Sequence, residues 1–197
     1  MEILRARLAA VNTVVYGETM TDQLSAQDWL DQGLRTLAKS GFTALKAEPL
    51  AKAMGVSRGS FYWHFADIAA YHAAILEHWR DIAAERIIAG VEASAPAEPP
   101  VTALLRRVFS EKLTLEMAVR SWAASDLLAR AAVEAIDRRR LTYVERLLKA
   151  GGLSPGIARA RAQILYWAFL GFALSEKPLP RGRQAAVLDE LIKLASP

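Results

Sequence analysis

Apolar residues recur three and four positions apart along most of the chain, and runs of alternating β-branched residues between turn signals are nearly absent. Ala, Leu, Arg and Glu, which helices favour, dominate the segments between breaks. The pattern predicts an all-α fold. Gly and Pro punctuate it at Gly41, Gly55, Pro96 to Pro100, Gly151 to Pro155 and Lys177 to Gly182. Helices are expected at about Ala26 to Ser40, Ala47 to Met54, Arg58 to Phe65, Ile68 to Ala93, Val101 to Ala118, Asp126 to Ala150, Pro155 to Ser175 and Gln184 to Leu194, with a short one over Ala118 to Ala123. Ser57 and Ser154 stand where N-caps belong, the latter before a first-turn proline. The loop from Ser94 to Pro100 is too short for a free tether. The helix from Ile68 to Ala93 is therefore expected to belong partly to two domains and to link them mechanically.

Between Ala47 and Phe65 the pattern is that of a helix-turn-helix. Ala51 is the small residue where two helices cross, and Gly55 tolerates the positive φ of the turn. Leu50, Met54, Val56 and Phe61 converge between the helices. Phe61 and Phe65, four apart, are core positions. Tyr62 and Trp63 are consecutive and cannot both face inward, so at least one large aromatic must be exposed.

These residues, from Ser25 to about Trp79, resemble the tetracycline-repressor (TetR) family of bacterial regulators. An apolar helix ends in Gly41-Phe42, a Leu-Ala-x-x-x-Gly-Val-Ser turn runs from Leu50 to Ser57, and a Phe-Tyr-x-His-Phe string closes the motif at Phe61 to Phe65. The resemblance implies an N-terminal three-helix DNA-binding domain over residues 23–67 and a larger helical ligand-binding and dimerisation domain over 68–197. It also implies a cytoplasmic homodimer on a double-stranded operator, expected to be palindromic, usually a repressor relieved by a small-molecule effector whose identity the sequence does not give. Carried over by position, Ser57, Arg58, Gly59 and Ser60 open the recognition helix, and Arg58 could contact a guanine through two hydrogen bonds. Trp63 could reach a thymine methyl group. Tyr62 and His64 match phosphate-contacting positions, and Lys46 and Lys52 flank the motif. The chain departs from the family pattern at Ile68 and Lys46, where a lysine and a threonine are frequent.

Charge qualifies this picture. The chain of 197 residues carries a net +4, yet from Ser25 to Trp79 the cations Arg35, Lys39, Lys46, Lys52 and Arg58 are matched by Asp28, Asp31, Glu48, Asp67 and Glu77. A neutral head implies modest affinity for DNA in general and more reliance on two half-sites. A helical protein-interaction module is the alternative reading.

Phe109, Met117, Trp122, Tyr143, Tyr166 and Phe169 are candidates for lining a ligand pocket, Trp122 and Tyr166 foremost because N–H and O–H groups can orient a ligand. Asp137 and Arg140, three apart on a helix, are expected to pair with each other. Ile164, Leu165, Ala168 and Phe172 would form an apolar stripe, with Gly171 permitting close approach. The resemblance makes Pro155–Ser175 and Gln184–Leu194 the expected dimer interface. The chain has no cysteine, which excludes disulfides and thiolate chemistry. His64, His72 and His78 lack metal-ligand spacing, and no nucleophile elbow or phosphate loop is present, so no metal, cofactor or catalytic residue is expected. The longest apolar run, Ala162 to Leu174, is short of a membrane span. Residues 1–22 read as an extension that is disordered or a basic arm carrying Arg5 and Arg7.

Overall fold

The computed structural model describes residues 24–93, 98–110, 113–175, 177 and 179–197, and within them only helices and turns. The expectation for residues 1–22 falls outside this range. Three helices form the head: α1 (Ala26–Ser40), α2 (Ala47–Ala53) and α3 (Arg58–His64), with a 3-10 turn at Phe42–Ala44. A long helix follows as α4 (Ile68–Arg80), a π-helical turn at Asp81–Glu85 and α5 (Arg86–Ala93). The body is completed by α6 (Pro100–Ser110), α7 (Thr114–Ala123), α8 (Leu127–Ala150), α9 (Pro155–Ala173) and α10 (Arg181–Leu194). None of the helices is long and apolar enough to cross a membrane among the described residues.

The helix starts are fixed by side chains other than the serines expected to do so. Ser25 and Asp28 form a reciprocal capping box on α1, and Asp67 and Asp126 accept from Ala70 and Ala129 backbone N–H groups at α4 and α8. Ser57 and Ser154 occupy N-cap positions in extended conformation, but their hydroxyls make no capping bond. Gly55 takes φ +70°, as the turn between α2 and α3 requires.

The helix expected over Val101 to Ala118 is two helices. No glycine or proline marks the break. Val101, Leu105 and Phe109 of α6 join a core with α9 and Leu148, whereas Leu104 of α6 joins Val119 and Trp122 of α7 in the core that includes the head.

That second core runs without interruption from Trp29, Leu37 and Phe61 through Tyr71, Ile75 and Trp79 to Ile88, Ile136 and Tyr143. Head and body thus meet across buried apolar surface. Phe42 stacks on Trp122 at 4.4 Å between ring centres, and His72 packs edge-on to both while its Nε2 lies 3.0 Å from the Leu45 carbonyl oxygen. Against α1, Tyr71 donates to the Trp29 carbonyl at 2.8 Å, and His78 Nε2 lies 2.8 Å from Asp31 Oδ1.

Gly33 faces this joint, where an added Cβ would overlap the Tyr71 hydroxyl and Ile75 Cδ1. Although alanine is the better helix former by about 1 kcal/mol, Gly33→Ala is expected to lower stability in urea unfolding by about 1–3 kcal/mol through overpacking. A neutral or stabilising result would mean α1 and α4 are not packed this closely.

The His78 hydrogen bond holds the Asp31 carboxyl below its ordinary value, against the opposing effect of burial. A depressed folded pKa adds stability above the unfolded value, lost as pH falls through the folded one. Asp31→Asn is therefore expected to destabilise at pH 5, with the gap from the unsubstituted protein closing as pH falls below the ordinary carboxyl value of about 3.9. Thermal melts across that range check it.

Candidate nucleic-acid interface and effector cavity

Helix α3 divides its residues cleanly. Phe61 is fully buried, in edge-on contact with Trp29 and Tyr71, and Phe65 closes the same cluster. On the other side Arg58, Gly59, Tyr62, Trp63 and His64 are exposed, with Ser60 half-buried beside them. Trp63 is 88% exposed, far beyond what a tryptophan held by its own chain shows. Arg58 donates to the Tyr62 hydroxyl at 3.0 Å and lies over its ring. That hydrogen bond raises the Arg58 pKa further. The guanidinium is thus held along the helix while staying open to solvent. Lys46 precedes α2 and Lys52 ends it, both exposed. Ser57 stands at the α3 N-cap.

A second feature lies in the body. A cavity of about 180 Å³ opens beside the π-helical turn, walled by α4, α5, α6, α8 and α9 and by Leu113, Leu115 and Glu116. Of the six expected pocket residues, Phe109, Tyr143, Tyr166 and Phe169 line it. Met117 and Trp122 do not. Met117 is 37% exposed on the far side of α7, and Trp122 is spent on Phe42 and His72, its indole N–H buried without a partner. Tyr166 does line the cavity, but its hydroxyl is committed: it donates to Asp137 at 2.5 Å and accepts from Arg120 at 3.1 Å.

The polar wall of the cavity was not legible as such. Glu116, 4% exposed, accepts from Arg120 Nε at 2.8 Å and from both terminal nitrogens of Arg140 at 2.9 Å. Arg140 also donates twice to the Ala83 carbonyl, inside the π-helical turn. Asp137 pairs with Arg120 rather than with Arg140. The expected Asp137–Arg140 pair is therefore absent: three-residue spacing allows it, but each partner finds a better-buried one on α7. Burial works against the charge of Arg140, and the Glu116 carboxylate more than offsets it. Burial also pushes the Tyr166 hydroxyl well above its ordinary value.

The apolar stripe expected on α9 also splits. Leu165 faces the cavity and Phe172 packs on Phe109, 5.1 Å between ring centres. The outward stripe is Ile157, Ile164, Trp167 and Leu174, each 45–64% exposed, with Val187 on α10. Helix α9 is apolar almost all round, so its phase could not be read from pattern.

Compared with family models, residues 30–70 match that of the bacterial regulatory proteins of the tetR family. Those residues are the helix-turn-helix and its flanks. Over this segment the chain is similar to the regulatory proteins of that family. The match makes residues 30–70 a DNA-binding segment of the kind such regulatory proteins carry. No curated protein sequence matches it. Among solved structures, E. coli NemR in its reduced form is 20% identical over 86% of this chain and 94% of its own, with a TM-score of 0.65. AibR, solved with isovaleryl coenzyme A and operator DNA, is 15% identical over 86% and 96%, TM-score 0.64. A Saccharomonospora viridis protein solved with choline is 13% identical over 85% and 95%, TM-score 0.64. At these identities the likeness is one of fold.

Glu116 lies between two arginines, so its truncation should cost more than an ordinary surface pair. Glu116→Ala is expected to destabilise by about 3–5 kcal/mol, because two cations are left buried without their carboxylate. Chemical denaturation reads this directly, and a loss under 1 kcal/mol would mean that water reaches and solvates the node.

Proposed function

We propose that this chain is a homodimeric repressor of the tetR family: residues 23–67 read a palindromic operator, and an effector taken up by residues 68–197 releases it. The observation that carries the reading is the outward face of α3. Gly59, the second residue of α3, has room for a Cβ, the nearest atom being Ser57 Oγ at 3.6 Å. Glycine is a weaker helix former than alanine and has no packing reason there, which fits a backbone that must approach DNA closely. Trp63 has no partner of its own to account for its exposure. In the proposed complex Arg58 and Ser60 meet base edges, Trp63 meets a thymine methyl, and Ser57, Tyr62, His64, Lys46 and Lys52 touch the phosphate backbone.

Dimerisation through α9 and α10 would cover the outward stripe of Ile157, Ile164, Trp167 and Leu174. It would place two recognition helices on successive turns of one DNA face, about 34 Å apart. The cavity lies at the π-helical elbow of the long helix that carries the head. A ligand that fits one setting of this elbow better than another shifts the spacing of the heads, and operator affinity with it. The ligand complexes of AibR and of the Saccharomonospora viridis protein lend this support. Such a repressor would work in the cytoplasm.

Selection of genomic fragments by the purified protein, followed by footprinting, tests the proposal without a guess at the effector. Two protected half-sites about one turn apart are expected. On the recovered site, Arg58→Ala and Trp63→Ala should each weaken binding by roughly 5- to 100-fold, the worth of one base contact. Binding that ignores both substitutions and shows no fall with added salt would instead favour a protein-interaction module.

A further inference from the structure

We infer that the cavity selects an uncharged, largely apolar molecule about the size of a substituted benzene, and that Glu116 is the residue that excludes anionic ligands. This rests on the reading of the cavity as the effector site.

An arginine on a cavity wall ordinarily suggests a carboxylate or phosphate ligand. Here that role is already filled from within the chain. Arg140 gives one terminal N–H to Glu116 Oε1, two hydrogens of its other terminal nitrogen to Glu116 Oε2 and the Ala83 carbonyl, and its Nε hydrogen to the same carbonyl. Of the five N–H groups of a guanidinium, four are engaged in this way, and the Tyr166 hydroxyl is a further hydrogen-bonding neighbour of Arg140. Glu116 Oε1 receives Arg120 Nε and Arg140, and Oε2 receives Arg140. One acceptor site on Oε2 remains. With its donors and acceptors largely satisfied from within the chain, this polar corner has little left to offer a charged ligand.

Charge points the same way. Glu116 and Asp137 balance Arg120 and Arg140, and all four lie in one bonded cluster with side chains 3–27% exposed. A bound carboxylate would make three anions against two cations, and a bound ammonium the reverse. In either case a buried charge is left without a counter-ion, a costly arrangement. The rest of the lining offers apolar surface: Trp79, Ile82, Ile87, Leu104, Val108 and Phe169 among others. The volume sets the size, since an apolar cavity of roughly 150 Å³ holds a benzene ring and this one measures about 180 Å³.

Three probes of one shape separate the possibilities: 4-methylphenol, 4-methylbenzoate and 4-methylbenzylammonium, titrated calorimetrically into the full chain. The phenol is expected to bind, and both ions to bind at least about tenfold more weakly. Equal or tighter binding of either ion, or no binding of the phenol, overturns the inference. Val108→Trp, which fills the cavity, should abolish phenol binding; retained binding would place the ligand elsewhere and also overturn it. Glu116→Gln, checked for folding by circular dichroism, leaves the cluster one positive charge in excess. It should raise affinity for 4-methylbenzoate at least about tenfold while changing the phenol about threefold or less. No gain for the benzoate in the folded variant would remove Glu116 from the selecting role. Operator affinity measured with the phenol saturating tests the underlying reading separately. If the phenol binds with the expected selectivity and DNA is held unchanged, the effector reading fails and the cavity's selectivity stands.

Discussion

The head cannot bury its own apolar surface without the body, and the long helix from Ile68 to Ala93 is where the two are joined. Its inner edge is buried at Tyr71, Ile75, Leu76, Trp79, Ala84, Ile88 and Val91, first against α1 and then against α8. Three short helices enclosing one tryptophan and a few leucines form too small a core to stand far above the entropy of ordering them. Trp122 adds a second joint, because α7 carries it from the body onto Phe42, at the 3-10 turn that leads into α2. The helix-turn-helix is thereby supported from two directions, by α4 beneath α1 and by α7 beside it.

The same two helices also meet the cavity. Glu116 lies six residues before Trp122 on α7, and its arginine partner Arg140 binds the Ala83 carbonyl within the π-helical turn. At that turn the Arg86 N–H reaches back to Asp81, five residues rather than four, a local irregularity of a kind often found at functional sites. A buried cluster of two carboxylates and two guanidinium groups is expensive to dehydrate and contributes little net stability. Its value lies in fixing α7, α8, α9 and the elbow in a single arrangement around a polar corner of an otherwise apolar space. Anything that enters beside this corner bears on both supports of the head.

Much of this was legible in the residues. The helix-turn-helix announced itself through Gly55 and the alternation of buried Phe61 and Phe65 with exposed Tyr62 and Trp63, because a short amphipathic helix with a tight turn leaves few other arrangements. The extent of α1 likewise followed from pattern. What escaped reading depends on partners distant in sequence. Trp122 looked like a pocket residue because any buried aromatic can be one; only the approach of Phe42, eighty positions earlier, decides otherwise. Asp137 and Arg140 satisfied a local pairing rule that two better-buried partners on α7 overrode. The break between α6 and α7 carries no glycine or proline to announce it. The capping box of Ser25 and Asp28 was the exception: a local signal, present in plain view at a spacing of three.

A shared core has a direct consequence for protection of backbone amides. Trp122→Ala removes a side chain of the body, in α7, and native-state hydrogen exchange can then be followed residue by residue in α1, α2 and the Phe42–Ala44 turn. If head and body form one packed unit, amides in those head elements lose protection along with α7, by about the 3–5 kcal/mol expected for deleting a buried tryptophan. Undiminished protection in the head, with loss confined to α7 and its neighbours in the body, would contradict the coupling on which the proposed regulation depends.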